Sequence, residues 1–246
     1  MKNIKLFILS FSLFALNLFS LDVFAFDHSY QEWDKFLSKY TIKKDDQTLV
    51  KYSKINKEEI NKVLEQFEAV KKDEFASWSR DQKLSFWINV YNAYTIQLIV
   101  KNYPLDSIKD LGSLFSSPWS KDFIPLFGKK MSLDNIEHDT IRKNFKEPRI
   151  HFAVNCASMS CPSLFRSAFT PKKLDKQLAK VENNFLNNKE KNKLKGNVLY
   201  LSKIFDWYGE DFEVYGGPQK YFEDRFEIKV SDVKYLEYDW SLNKAE

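Results

Sequence analysis

The segment "RDQKLSFWINVYNAYTIQLIVKNYP", Arg80 to Pro104, limits what this chain can fold into more than any other. Apolar side chains recur around most of its helical circumference (Leu84, Trp87, Ile88, Tyr91, Leu98), and Pro104 ends it. A helix that is apolar nearly all round belongs inside a protein or a membrane. This one is too rich in polar side chains to cross a bilayer, so it is expected at the centre of a globular core. Ser85, Asn89 and Asn92, at i, i+4 and i+7, form a polar stripe along it. A buried amide without partners costs about 1–3 kcal/mol. The asparagines therefore either cap a neighbouring loop or line a polar pocket, and both readings stay open.

Around that helix the pattern is mixed. "YQEWDKFLSKY" and "NKEEINKVLEQFEAVKKDEFASWS" carry apolar residues at helical spacing, with a short strand "TLVKYSKI" between them. Downstream, a hairpin is expected around Gly128, then a helix capped by Ser132 or Asp134, and a buried strand "PRIHFAVNC" from Arg149. "PKKLDKQLAKVENNFLN" reads as an amphipathic helix opened by Thr170 and Pro171; "NVLYLSKIFDWYGEDF" is a strand running into a helix; "YLEYDW" is a last strand. No regular strand–helix alternation appears, so the expected class is α+β: a single helix-rich domain with a small antiparallel or mixed sheet.

The first 25 residues resemble a secretory leader: Lys2 and Lys5, a mostly apolar run, then Val23, Phe24 and Ala25. The expected organisation is a signal peptide over 1–25, a helical lead-in over 26–78 and the main domain over 79–246. Localisation is then secreted or periplasmic, with no membrane attachment once the leader is cut. Removing two lysines and one aspartate with the leader takes the formal charge from +4 to +3. Near-balance argues against a nucleic-acid partner, and the densest basic stretch, "NNKEKNKLKG", reads as a solvated turn. Two cysteines are too few for a disulfide scaffold, so burial of the 22 Phe, 12 Tyr and 6 Trp must carry folding.

Both cysteines lie in "HFAVNCASMSCPSLF". Cys156 and Cys161 are close enough in sequence for a small loop to bring their Cα atoms within the roughly 4.4–6.8 Å of a disulfide, and an exported compartment would oxidise them. If instead the segment is the first turn of a helix after a strand, the unpaired N–H groups there lower a thiol's pKa and make it a nucleophile. His138 stands beside Glu137 on the expected helix; a histidine, with an unperturbed pKa of about 6.5, can act as a base there. Strand alternation would turn His151 away from Cys156, which favours His138 as the base. Asp206 is a candidate to line the pocket with Asn89 and Asn92. Metal-ligand spacing, nucleophile-elbow and phosphate-loop motifs are missing, and no cofactor is expected.

Five ordered blocks, "FWINVYNAYT", "SLDNIEH", "RIHFAVNCASMSCPSL", "IFDWYGEDF" and "YLEYDWSLN", resemble the family called domain of unknown function 547 (DUF547), over roughly Trp78 to Asn243. The resemblance places Cys156 in the family's "NC", Cys161 in its "SCP" and His138 in its "IEH". It implies a distant kinship with the papain and transglutaminase class, from which this chain departs by offering Asn89 and Asn92 where a helix-borne cysteine is wanted. The expected function is a thiol-dependent hydrolase or acyl transferase on peptide-like substrates, Asn92 or backbone amides meeting the oxyanion. The alternative is a noncatalytic peptide- or glycan-binding domain with a structural disulfide. A monomer is expected in either case.

Overall fold

The computed structural model describes residues 25–113 and 116–245. The expected leader lies outside them except for Ala25. Helix α1 (Gln31–Tyr40) leads into the hairpin β1 (Thr41–Lys44) and β2 (Gln47–Val50). Two short helices follow, α2 (Lys57–Glu68) and α3 (Lys72–Ser77), and then α4 (Arg80–Asn102). The Asn56 side chain caps α2 by accepting from the Glu58 amide at 2.8 Å. Ser79 and Gln82 cap α4 reciprocally, satisfying two amides that a helix start leaves unpaired.

Every residue of α4 from Leu84 to Val100 is buried. Burial of each large apolar side chain contributes about 1.5–3 kcal/mol, which overrides the poor helix propensity of its asparagines and β-branched residues. At its N-terminal end Phe26, Phe67, Phe75, Trp78 and Phe86 form an aromatic cluster, Phe26 lying 5.2 Å from Trp78 between ring centres. The lead-in segment thus closes over the central helix.

The expected hairpin at Gly128 is present as β3 (Ile124–Leu126) and β4 (Lys129–Met131). Phe127 and Gly128 both take positive φ, 53° and 75°, the requirement of a two-residue turn that matches strand twist. Ser132 and Asn135 then cap each other. The helix that follows is wider than an α-helix: Asn135–Arg142 is a π-helix, continued by α5 (Lys143–Phe145). Wide turns of this kind re-aim side chains and concentrate at functional sites.

The expected strand from Arg149 does not form. Pro148 opens a 3-10 helix, Pro148–Phe152, in which the Glu147 carboxylate accepts from the Arg149 amide at 3.3 Å and from its guanidinium at 2.8 Å. This local pairing and the fixed proline φ replace the ladder bonds a strand would need. Downstream come α6 (Leu174–Leu186) and a three-stranded mixed sheet of β5 (Lys193–Lys195), β6 (Val198–Leu201) and β7 (Asp232–Tyr235). Between β6 and β7 lie α7 (Lys203–Trp207), the 3-10 segment Gly209–Tyr215 and α8 (Gly217–Phe226). The final strand ends on Tyr235, the first residue of "YLEYDW", leaving 236–240 irregular. The architecture is α+β, a helical core with small sheets that do not close into a barrel. Among the described residues no helix is long and apolar enough to cross a membrane.

Candidate functional site

A cavity of about 330 Å3 opens where the π-helix, the 148–162 segment, α7 and the 238–240 segment meet. Glu137, His138, His151, Cys156, Cys161 and Tyr208 all line it. Residues as far apart in the chain as Glu137 and Tyr208 are thus gathered on one wall.

His151 is almost wholly buried. Its Nε2 lies 2.6 Å from Asp211 Oδ2, and the same oxygen accepts from Arg142 Nε at 2.6 Å. Burial pushes the Asp211 carboxyl up, but the hydrogen bonds from His151 and Arg142 outweigh it and hold the group well below the usual carboxylate range. An ionised carboxylate can only accept, so Nε2 of His151 donates to Asp211, and in the neutral tautomer this leaves the lone pair on Nδ1. That Nδ1 is buried without a hydrogen-bond partner, with Glu137 Oε1 4.0 Å away. Tyr208 stacks on the imidazole at 4.1 Å between ring centres, and burial first, then the neighbouring Glu137, pushes its phenol up.

His138 is placed differently. Its Nδ1 accepts from Arg142 at 3.1 Å, and its Nε2 lies 3.9 Å from Asp134. An arginine only donates, so the lone pair of His138 is already engaged. The preference for His138 rested on strand alternation at His151, and the 3-10 helix removes that ground. Glu137 faces His151 and Tyr208, rather than assisting His138.

Cys156 and Cys161 are both free thiols, which corrects the expected disulfide. They approach within 3.0 Å without bonding, whereas a disulfide has its sulfurs about 2.05 Å apart. The Cys156 amide donates to Cys161 Sγ at 2.9 Å, and Ala157 turns the chain at a φ of 64°. Ser158 Oγ and Tyr238 OH stand 3.2 and 3.4 Å from Cys156 Sγ. The hydrogen bond from the Cys161 thiol pulls the Cys156 thiol down from 9.0 to about 7, with burial opposing and the two hydroxyls assisting. Burial, reinforced by Cys156, pushes Cys161 up.

The asparagines of α4 resolve the question their spacing raised. Asn92 donates to Ala153 O at 2.9 Å and accepts from the Asn155 amide at 2.8 Å. Asn89 does the same with Phe169, at 2.7 and 3.0 Å. Both amides bond backbone groups of neighbouring loops, so they clamp those loops, and neither side chain lines the cavity where an oxyanion would form. Asp206 is exposed on α7, paired with Lys203 at 2.8 Å, and also lies off the cavity.

The stretch read as a solvated turn hides a buried cation. Lys191 Nζ donates to Gln47 Oε1 at 2.9 Å, to Met159 O at 3.1 Å and to Cys161 O. Its three protons are thereby satisfied by neutral acceptors; among the described residues no carboxylate pairs with it. Burial pushes this ammonium down to about 8, and the thiols of Cys161 and Cys156 oppose that shift. Lys191, Arg142, Asp211, Tyr208 and Tyr238 all escaped the sequence reading. The last three lie within blocks already singled out, but nothing in their spacing marks them over Asp206.

Among the described residues no three His, Cys, Asp or Glu side chains converge to hold a metal ion. Residues 75–186 match the family model described as Protein of unknown function, DUF547. The match takes in Cys156, Cys161 and both cavity histidines, and ends before Tyr208 and Asp211. Comparison with curated proteins finds no match, and comparison with solved structures finds none. Neither supports kinship with papain or transglutaminases.

Proposed function

We propose that this protein is an exported thiol-dependent hydrolase or acyl transferase acting on peptide-like acyl compounds, with Cys156 as nucleophile, His151 as acid–base and Asp211 holding the histidine. The observation that carries this reading is a free thiol drawn towards neutrality on the same cavity as a histidine whose carboxylate partner leaves Nδ1 open. His151 Nδ1 takes the thiol proton, and the sulfur attacks the acyl carbon, whose carbonyl electrons move onto oxygen. Collapse expels the leaving amine or alcohol, which receives that proton from His151, and a thioester remains. Water, or an acceptor amine, then loses its proton to Nδ1 and displaces the sulfur, which leaves as thiolate and takes that proton back from His151. Asp211 stabilises the transient imidazolium. The Tyr238 and Ser158 hydroxyls, already within 3.4 Å of the sulfur, are placed to meet the oxyanion, the role earlier given to Asn92.

This chemistry requires no papain-like fold, since the thiol sits in a loop. The noncatalytic alternative, a peptide- or glycan-binding domain, would have to use the same cavity, because the asparagine stripe is closed. The test is iodoacetamide labelling of the full chain across pH, with mass mapping, alongside turnover of p-nitrophenyl acetate. Cys156 should label with a midpoint near pH 7, and Cys156→Ser should abolish turnover without lowering the melting temperature. Undiminished turnover in Cys156→Ser, or a Cys156 that labels only above pH 9, would refute the proposal.

A further inference from the structure

Three of the six tryptophans, Trp33, Trp78 and Trp87, are buried in the core; the other three, Trp119, Trp207 and Trp240, line the cavity beside Cys156. They come from three separate segments of the chain. Trp207 and Trp240 stack at 5.6 Å with an interplanar angle of 26°, Trp119 lies 5.7 Å from Trp240, and Tyr238 bridges Trp207 and Trp240 at 4.7 and 4.5 Å. Tyr238 also reaches Cys156 through its hydroxyl, so the aromatic wall begins at the sulfur itself. Trp207 remains 43% exposed. Leaving so much contiguous apolar surface in water is unfavourable, and such a patch marks a place where something binds.

The charges around the wall narrow what that is. Among the described residues no lysine or arginine lines the cavity, and its acids are Asp134 and Glu137. A carboxylate brought here would lose hydration, meet two acids and find no cation. Lys109 lies on Trp240, 5.0 Å from its ring centre, but is not part of the cavity lining. An uncharged aromatic or aliphatic group, by contrast, would exchange water for ring faces on several sides.

We propose that Trp119, Trp207, Tyr238 and Trp240 form the subsite that receives an uncharged aromatic or bulky apolar side group of the acyl donor, next to the bond that Cys156 attacks, and that the site rejects acidic groups. This deepens the acyl-transfer reading and rests on it for the identity of the reacting bond, but binding can be read without any reaction. Aromatic packing on ring faces then sets specificity, and the neighbouring acids supply discrimination by leaving an anion unpaired.

The experiment titrates the intrinsic tryptophan fluorescence of the full chain with three unreactive probes: N-acetylphenylalanine amide, N-acetylaspartate amide and methyl glucoside. The phenylalanine probe should bind saturably and at least about tenfold more tightly than the aspartate probe, a difference of about 1.4 kcal/mol. Trp207→Ala, at a partly exposed position, should remove most of that preference; Trp207→Phe should retain much of it. Equal affinity for the phenylalanine and aspartate probes overturns the inference, as does saturable binding of the glucoside alone or an unchanged preference in Trp207→Ala. Iodoacetamide labelling of Cys156 reports separately on the acyl-transfer reading, so selective phenylalanine binding by a protein with an inert thiol would sink that reading and keep the subsite.

Discussion

Replacing Cys161 by alanine isolates the interaction that sets the reactivity of Cys156. In the folded protein the Cys161 thiol is the leading influence lowering Cys156 from 9.0 to about 7, while burial pulls the other way. Without that donor, burial is opposed only by the Ser158 and Tyr238 contacts, and the midpoint should return to about 9. At pH 6 the thiolate fraction of Cys156 would then fall from about 9% to about 0.1%, roughly ninetyfold. A more basic thiolate is intrinsically more nucleophilic; with a Brønsted slope of about 0.45, this recovers about eightfold. The net expectation is alkylation about tenfold slower at pH 6. The Cys156 amide also loses its acceptor at 2.9 Å, and the small cavity left adds to a stability cost of about 1–2 kcal/mol. Pseudo-first-order iodoacetamide rates from pH 5 to 10, measured at Cys156 by mass spectrometry, give the midpoint directly. Cys161→Ser keeps a hydroxyl donor and should fall between the two. A Cys161→Ala protein whose midpoint stays near 7 would refute the argument.

Asp211→Asn removes the carboxylate that fixes the His151 tautomer; esterase turnover should fall by about 10²–10⁴-fold, with Cys156 still alkylated by iodoacetamide. Because the folded Asp211 carboxyl lies below its ordinary value, its contribution to stability is present above about pH 4 and is lost as pH falls through the folded value. The melting-temperature gap between wild type and Asp211→Asn should accordingly be widest near neutrality and shrink below about pH 4. Asn92→Ala strands the Ala153 carbonyl and the Asn155 amide, so urea unfolding should show a loss of about 2–4 kcal/mol, with m unchanged. Lys191→Met takes away the buried cation under the thiol loop and should raise the Cys156 alkylation midpoint, which Lys191→Arg should largely avoid. An unmoved midpoint in Lys191→Met would mean that the ammonium serves only to tie Gln47, Met159 and Cys161 together.

Features set by short-range energetics were legible in the residues themselves. The run from Arg80 to Asn102 is helical because its apolar positions and its Ser79–Gln82 cap agree, and the turn was legible at Gly128, which takes positive φ without steric cost, whereas Phe127 takes it against its own preference. The two-cysteine loop and the histidine-bearing segments were legible as places where chemistry concentrates, since few residue types can supply it. Their pairing was not. His151 meets Asp211 sixty residues away, and Lys191 meets Gln47 across 144. Contacts of that range leave no periodicity in the chain, so a lysine among other lysines reads as solvated and Asp206 looks no worse than Asp211. The 3-10 turn at Pro148–Phe152 overturned a strand pattern because Glu147 and Arg149 satisfy each other locally, while Asp211 on His151 and Arg142 on His138 decided which histidine keeps an open nitrogen. Tertiary structure likewise spent Asn89 and Asn92 on backbone groups of distant loops, and it held Cys156 and Cys161 as a hydrogen-bonded pair of thiols. Spacing alone allowed a disulfide; the positive φ at Ala157 and the amide-to-sulfur bond, which belong to the folded loop, are what chose otherwise.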